Sequence, residues 1–563
     1  MKKLLAILLA LVLAAACALS AAADEGSEPD WAAYDALIAQ IKETADFVER
    51  EALMHQAEDM LMETGCIIPL YYDNDCYLAK DDVHGVYSNL YGMKYFLYAT
   101  NESGSTLRIN LASEPDRLDP ALNTTLDGGC LAVNSFAGLY AYDESGALVP
   151  NLAESYSVSE DGLTYVFTLK EGLKWSDGSP LTAADFEYSW KRAADPETGA
   201  GYSYLFAVIE GYDSGELNAT ASEDGTTLTV VLSSPCAYML DLCAFPVFYP
   251  VKQEAVESAE GYLDEDGAVL NPGAWASEAG FVSSGAYVLT EWVHGQSMVY
   301  TKNPYFWNAD SVSIERLEFM LSDDATAIYA AYQAGDLDFT DTIPTDAIES
   351  AKDSGEFYVV DQLGVAYVCF NVQSDLFAGK TAEQANAMRR AFSLLIDRQY
   401  IIDTVAQTDQ QAANTFVPAG TSDGHGGQFR QNDADYTYPD AEATGYYGAD
   451  VDVEGAIALL ESAGYAFDES GMLSAETPIA FEYLTNELDS NIAVAECLQQ
   501  DFAAIGIDMT IRTLDWNVFV DEMLSGNYVA ARSSWVADFN DPINFLEMWT
   551  SDSGNNFARL GVG

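Results

Sequence analysis

Residues 153–192, AESYSVSEDGLTYVFTLKEGLKWSDGSPLTAADFEYSWKR, carry the most informative local pattern in the chain. In Thr164–Leu169 small or β-branched residues alternate with Tyr, Phe and Leu, and this period of two predicts a strand with one buried face. Trp175–Gly178 supplies turn residues. Thr182 followed by Asp185 predicts a capped helix start. The stretch therefore predicts two strands, a tight loop and a helix. An ordinary α+β domain could contain the same elements, so this pattern alone does not decide the fold.

The composition is that of a large, strongly acidic globular protein. The 563 residues include 24 Lys and Arg against 89 Asp and Glu, a formal charge of −65, and 49% of them are hydrophobic. This length predicts about two to four domains. The charge argues against binding of nucleic acid or anionic lipid, because both need a basic footprint. It favours a soluble protein that repels its own copies, and we expect a monomer.

The N-terminus has the pattern of a targeting segment, and we expect residues 1–23 to be a signal peptide. Lys2 and Lys3 precede the short apolar run Leu4–Ala16, which is too short for a stable membrane anchor. Two outcomes remain open, lipidation of Cys17 or cleavage near Ala21–Ala23. We expect an extracytoplasmic protein, held at the cell surface by lipid or free in the periplasm, with any membrane contact through that anchor.

Cysteine and histidine spacing predicts no metal centre and no cofactor. The eight cysteines form no CxxC pair, and the four histidines (55, 84, 294 and 425) do not cluster in sequence. Cys66 and Cys76 flank IIPLYYDND, which we interpret as a hairpin. The two cysteines could pair there, or they could be buried thiols.

Several motifs along the chain resemble one family. The run KWSDGSPLTAADFEYSW at 174–190 closely resembles the signature block of the extracytoplasmic solute-binding proteins that feed oligopeptide ABC transporters. Further segments resemble the family's motifs in the family's order, namely Glu114–Pro120, Asn303–Trp307, Tyr367–Asn371, Met388–Arg398 and Trp535–Pro542. The resemblance implies an α/β, two-lobed periplasmic-binding-protein-like fold of class II with an inserted third subdomain.

The order of the chain differs from that of the family. Residues 31–98 resemble the family's closing segment, including IPLYY within Ile67–Tyr72. We therefore expect a circular permutant, in which 31–70 complete the second lobe formed by 376–563. The first lobe would comprise 71–150 and 286–375, with 151–285 as an inserted β-rich subdomain. The alternative is that 31–98 form a separate helical accessory domain, although they would make a poor independent core.

The resemblance also implies which residues hold a ligand. Peptides of differing sequence share only their ends and backbone, so a general peptide site needs a carboxylate, an arginine and an extended segment. Asp538 matches the family's ammonium-binding aspartate, and Arg532 its carboxylate-binding arginine. The remaining matched positions are the backbone-pairing residues Ser534, Trp535 and Val536, the segment from Thr124 to Leu126 across the cleft, and Tyr204 on the inserted subdomain.

One motif imitates a catalytic site. Gly420–Gly424 fits GxSxG and His425 follows it, but a nucleophile elbow needs a helix after the serine, and Gly424–Gly427 cannot begin one. We predict a glycine-rich loop.

The sequence thus predicts a non-enzymatic binding protein that closes around an oligopeptide and delivers it to the permease subunits of an ABC importer. The rival predictions are the same fold with another solute, such as a dipeptide, an oligosaccharide or a metal chelate, and a secreted hydrolase using its many carboxylates.

Overall fold

The structure is a computed structural model that describes residues 31–111, 114–115 and 117–562. The predicted signal peptide and Cys17 lie outside the described residues. Within the described ranges, no helix combines the length and the apolar character that a membrane crossing requires.

Fourteen α-helices occur along the described part of the chain, two of them at its start and eight of them after residue 320. In the described part of the chain they are α1 (Ala32–Glu43), α2 (Phe47–Glu63), α3 (Leu126–Ser135), α4 (Ala183–Ala194), α5 (Met239–Leu242), α6 (Gln253–Glu257), α7 (Ala325–Ala334), α8 (Ile348–Lys352), α9 (Ala382–Leu395), α10 (Arg398–Ile401), α11 (Val453–Ser462), α12 (Asp489–Ala503), α13 (Trp516–Ser525) and α14 (Ile543–Leu546).

The strands form one large sheet and several smaller ones. They are β1 (Ile67–Ala79), β2 (Val83–His84), β3 (Tyr87–Ser88), β4 (Lys94–Tyr95), β5 (Thr100–Asn101), β6 (Thr106–Asn110), β7 (Tyr140–Tyr142), β8 (Leu148–Pro150), β9 (Ala153–Val158), β10 (Thr164–Leu169), β11 (Ala219–Ala221), β12 (Thr227–Val231), β13 (Tyr287–Val293), β14 (Ser297–Lys302), β15 (Arg316–Met320), β16 (Phe339–Thr340), β17 (Phe357–Phe370), β18 (Ala480–Asn486), β19 (Asp508–Leu514) and β20 (Ala530–Val536).

Two long antiparallel strands, β1 and β17, form the middle of a ten-stranded sheet. The sheet order is β13-β14-β15-β6-β16-β1-β17-β20-β18-β19. The pairing of β1 with β17 runs from Ile67 opposite Cys369 to Leu78 opposite Phe357, and its register shifts between Pro69 and Tyr71 and again after Tyr72. The far end of β1 pairs with β16, and the far end of β17 pairs with β20. The β1–β17 pair therefore connects the strands on the β16 side of the sheet to those on the β20 side.

The stretch at 153–192 folds as its pattern predicts. β9 and β10 pair antiparallel in a separate four-stranded sheet of order β11-β12-β10-β9. Tyr165, Phe167 and Leu169 are buried on one face of β10. Thr182 and Asp185 form the capping box of α4. This sheet lies within the predicted insertion 151–285, whose bounds stay a prediction.

The predicted hairpin between Cys66 and Cys76 is wrong. Ile67–Ala79 is one continuous strand, because β17 offers it an equally long partner. Ten residues of extended chain span about 33 Å, so the two cysteines lie far beyond disulfide reach. All seven cysteines of the described chain are free, and burial raises the pKa of the Cys66 thiol.

Residues 31–98 are an integral part of the molecule. Besides contributing β1, they contact the last elements of the chain: the Tyr34 hydroxyl donates to the Leu546 carbonyl at 2.8 Å, and the Arg50 guanidinium makes two hydrogen bonds to the Asp541 carboxylate at 2.7 and 2.8 Å. Asp46 caps α2, and Gly65 follows its C-terminal end with a φ of +62°. The structure therefore does not show residues 31–98 as a separate accessory domain. The circularly permuted order of the chain stays a prediction.

Candidate ligand-binding site

Strand β20 presents an open edge along most of its length. One edge is hydrogen-bonded to β17 throughout, from Ala530 opposite Phe370 to Val536 opposite Gly364. On the other edge only Ala530 and Ala531 pair with β18, and within the described residues no strand lies beside Arg532–Val536. An unpaired stretch of this kind can accept an extended chain as an added strand.

Asp538 lies just beyond this edge and contacts the predicted tyrosine. The Tyr204 hydroxyl donates to Asp538 Oδ2 at 2.6 Å, and the Asp538 amide donates to Asn544 Oδ1 at 3.2 Å. Burial raises the pKa of the Asp538 carboxyl, and the hydrogen bond from Tyr204 opposes that shift. No cation lies within ion-pair distance of Asp538 among the described residues, so this carboxylate is desolvated without a countercharge.

Arg532 lies on the exposed face of β20 and has no salt bridge in the described structure. Its Nη2 lies 3.2 Å from the Ser534 hydroxyl. Burial raises the pKa of the nearby Asp73 carboxyl to about 6, and the charge of Arg532 opposes that shift. The guanidinium therefore has most of its hydrogen-bonding capacity left for a further anion.

Four of the predicted residues line one cavity of about 140 Å³, namely Thr124, Leu126, Val536 and Asp538. Leu126 begins α3, whose cap is the Thr125 hydroxyl accepting from the Gly128 amide at 3.2 Å. Leu126, Val536 and Tyr204 are each more than 40% exposed, so their apolar and aromatic surfaces are accessible to a ligand.

Trp535 points away from this cavity. Its indole Nε1 donates to Asn544 Oδ1 at 2.9 Å, the same oxygen that accepts from the Asp538 amide. The side chain of Trp535 therefore fixes the turn that carries Asp538. Its backbone faces β17 opposite Val365, so that of the three matched backbone-pairing residues of β20 only Ser534 and Val536 turn their backbone groups toward the open edge.

A second cavity of about 480 Å³ contains residues that the sequence did not single out. Its lining is rich in amides and carboxylates and includes Asp73, Asp361, Gln362, Gln410, Gln428 and Asn540. These residues come from distant segments, and no local pattern connects them. A roomy polar cavity suits side chains of varied chemistry, because water can adapt its hydrogen bonds to each of them.

The GxSxG segment is a loop, as predicted. No helix begins at Ser422, since the next helix of the described chain starts at Val453, and the Ser422 amide donates to Asn540 Oδ1 at 2.8 Å. His425 Nε2 lies 2.6 Å from a Glu51 oxygen and has no contact with the serine.

Comparisons with known proteins agree with this arrangement. The family model described as "Bacterial extracellular solute-binding proteins, family 5 Middle" matches residues 147–557. The oligopeptide-binding protein OppA of Bacillus subtilis (strain 168) is 30% identical over 470 residues, 80% of this chain and 78% of that protein. The dipeptide-binding protein DppE of the same strain is 30% identical over 472 residues, 82% of this chain and 80% of that protein. Among solved structures, the unliganded open form of the periplasmic murein tripeptide-binding protein MppA has a TM-score of 0.63 at 27% identity, over 81% of this chain and 83% of that one.

Proposed function

We propose, from the premise that this chain belongs to the bacterial extracellular solute-binding proteins of family 5 and has their two-lobed fold, that it binds oligopeptides for an ABC importer. The observation that carries the proposal is the open edge Arg532–Val536, which ends at the desolvated carboxylate of Asp538. The relatives named for oligopeptides and dipeptides support the same solute class.

The proposed roles follow from what all peptides share. The peptide backbone pairs with the edge residues Ser534 and Val536, and the terminal ammonium binds Asp538. A charged ammonium would stabilise the partly buried carboxylate more strongly than the neutral hydroxyl of Tyr204 does. Because Tyr204 precedes β11 on the predicted inserted subdomain and Asp538 follows β20, the ammonium joins two parts of the molecule in the closed state.

Two other functions are distinguished by direct measurement. An oligosaccharide or a metal chelate as the solute would give no preference for a free ammonium group. A secreted hydrolase would turn peptides or glycans over, whereas the proposed protein binds one ligand per chain and releases it unchanged. Mass spectrometry of ligands that co-purify with the protein identifies the solute class.

The ammonium site is tested by Asp538→Asn, which removes the charge and keeps the size of the side chain. We expect free-amine tripeptides to lose about 2–5 kcal/mol of binding free energy, the scale for removing one partner of a buried charge pair. N-acetylated tripeptides should already bind the wild type poorly. Isothermal titration calorimetry measures both.

The control variant is Asp508→Asn, at an exposed position of β19, which should bind these peptides as the wild type does. Equal affinity of the wild type for free and acetylated peptides would contradict the assignment of Asp538 as the ammonium site.

The proposed role of Arg532 is tested by Arg532→Lys, which keeps the positive charge but removes the planar guanidinium group and its parallel N–H donors. We expect short free-acid peptides to lose about tenfold more affinity than their C-terminal amides, because only the acid can make the two parallel hydrogen bonds. Long peptides, whose carboxylate lies beyond Arg532, should be little affected. If acids and amides weaken alike, Arg532 has a structural role only.

A further inference from the structure

A buried carboxylate on α2 lies between two histidines that are far apart in the sequence. Glu51 Oε2 is 2.6 Å from Nε2 of His425, and Glu51 Oε1 is 3.7 Å from Nε2 of His55. The histidines were not expected to cluster, because 370 residues separate them in the chain. The fold brings both to the two oxygens of one side chain.

His55 is buried without any hydrogen bond to its ring. The residue is 2% exposed, and neither ring nitrogen has a partner in the described structure; the same holds for Glu51 Oε1. The imidazole is stacked between Phe429 and Tyr436, with ring centroids 3.9 and 3.8 Å away, so its orientation is fixed. Burial lowers the pKa of His55 to about 4, which keeps the ring neutral at physiological pH. Buried polar atoms without partners are rare and call for an explanation.

A second carboxylate completes the cluster. Asp423 is 1% exposed, and its Oδ1 accepts from the amides of His425 and Gly427 at 2.8 and 2.9 Å. These bonds leave Oδ2 free, 3.5 Å from His425 Nε2. One ligand atom from each of Glu51, Asp423 and His425 lies within 4.8 Å of the others.

We propose that Glu51, Asp423 and His425 bind one divalent transition-metal ion of the Zn²⁺ type. One imidazole nitrogen and two carboxylate oxygens, with water in the fourth position, are a donor set that Zn²⁺ takes in four-coordinate sites, at about 2.0–2.2 Å from each protein atom. The ion requires His425 and Glu51 to exchange their direct hydrogen bond for two bonds to the metal. The buried ring of His55, 3.7 Å from Glu51 Oε1, lies beside these three ligands and is not one of them.

The site would join the start of the chain to the wall of the ligand cleft. Glu51 lies on α2, whereas Asp423 and His425 belong to the loop 420–427. Gly420, Ser422 and Gly427 of this loop line the 480 Å³ cavity. A bound ion would therefore fix one wall of that cavity in place, and this role is independent of whether the cleft takes peptides.

Metal titration of the untagged full-length protein tests the proposal. The protein is treated with EDTA, dialysed, and titrated with Zn²⁺ by calorimetry and with Co²⁺ by visible absorption. We expect one ion per chain, intense Co²⁺ bands of a four-coordinate site, and a raised melting temperature. Glu51→Gln and His425→Ala should each weaken binding by at least about 100-fold, because outer-sphere substitutions alone cost up to that much.

His294→Ala is the matched control. His294 also lies between two carboxylates, 2.6 Å from Glu114 and 3.4 Å from Glu278, but it is exposed. This variant should bind the ion as the wild type does. If Glu51→Gln fails to fold, His425→Ala decides, since its side chain is one-third exposed on a loop. Absence of binding at micromolar Zn²⁺, or undiminished binding by the folded His425→Ala variant, would overturn the proposal.

Discussion

A chain that lacks residues 31–98 is expected to be insoluble or to melt without a cooperative transition. The deletion removes β1 from the centre of the ten-stranded sheet and leaves both β16 and β17 with unpaired edges. It also removes α2, whose buried side chains Met54, Ala57 and Leu61 pack in the core. Loss of near-ultraviolet circular dichroism and of a sharp calorimetric transition would be the readout.

The rescue experiment tests the proposed permutation. Moving residues 31–100 to a position after Gly563 should restore both the cooperative transition and ligand binding, because these residues would then follow the segments that they contact at Leu546 and Trp549. A soluble 104–563 fragment that melts cooperatively would instead favour an independent N-terminal domain.

Asp541→Ala is expected to lower the free energy of unfolding by about 3–5 kcal/mol, the scale for leaving one member of a buried ion pair without its partner. Its partner Arg50 makes two parallel hydrogen bonds to the carboxylate, and the two side chains are 4% and 0% exposed. The variant keeps the guanidinium in the same desolvated place with its charge uncompensated. Urea denaturation measures the loss.

Two further variants separate the charge effect from a general loss of packing. The double variant Arg50→Met, Asp541→Leu removes both charges and should regain most of the lost stability. Glu315→Ala breaks the pair with Lys302, in which Glu315 is 61% exposed, and should cost about 0.5 kcal/mol or less. If Asp541→Ala costs no more than Glu315→Ala, the buried pair does not stabilise the fold.

The fold was predictable where local patterns and long-range packing agree. The hairpin and capped helix of 153–192 have both the strand period and the capping residues, and the structure has them as expected. The prediction of a hairpin in IIPLYYDND, between Cys66 and Cys76, was wrong because the polar run Tyr72–Asp75 resembles a turn. A strand of this length persists only because β17 pairs along all of it, and no local signal reports a partner 290 residues away.

The residues of the candidate site likewise fall into those that the sequence identified and those that only the structure reveals. Asp538, Val536, Thr124 and Leu126 were named through the resemblance, and the structure brings them to one cavity. The polar residues of the larger cavity and the Glu51 cluster were not found, because each combines side chains from segments hundreds of residues apart. Which distant segments become neighbours depends on the topology of the fold, and the periodicity of a single sequence does not report it.

The pairing of β1 with β17 also has a consequence for synthesis of the chain. β1 leaves the ribosome about 290 residues before its partner strand begins, and at 5–20 residues per second that interval lasts about 15–60 s. During this time the apolar run Ile67–Tyr72 is an unpaired strand with no core to join. We therefore expect the nascent chain to depend on a holdase until residue 370 has emerged, and we expect its refolding in vitro to be slow and sensitive to protein concentration.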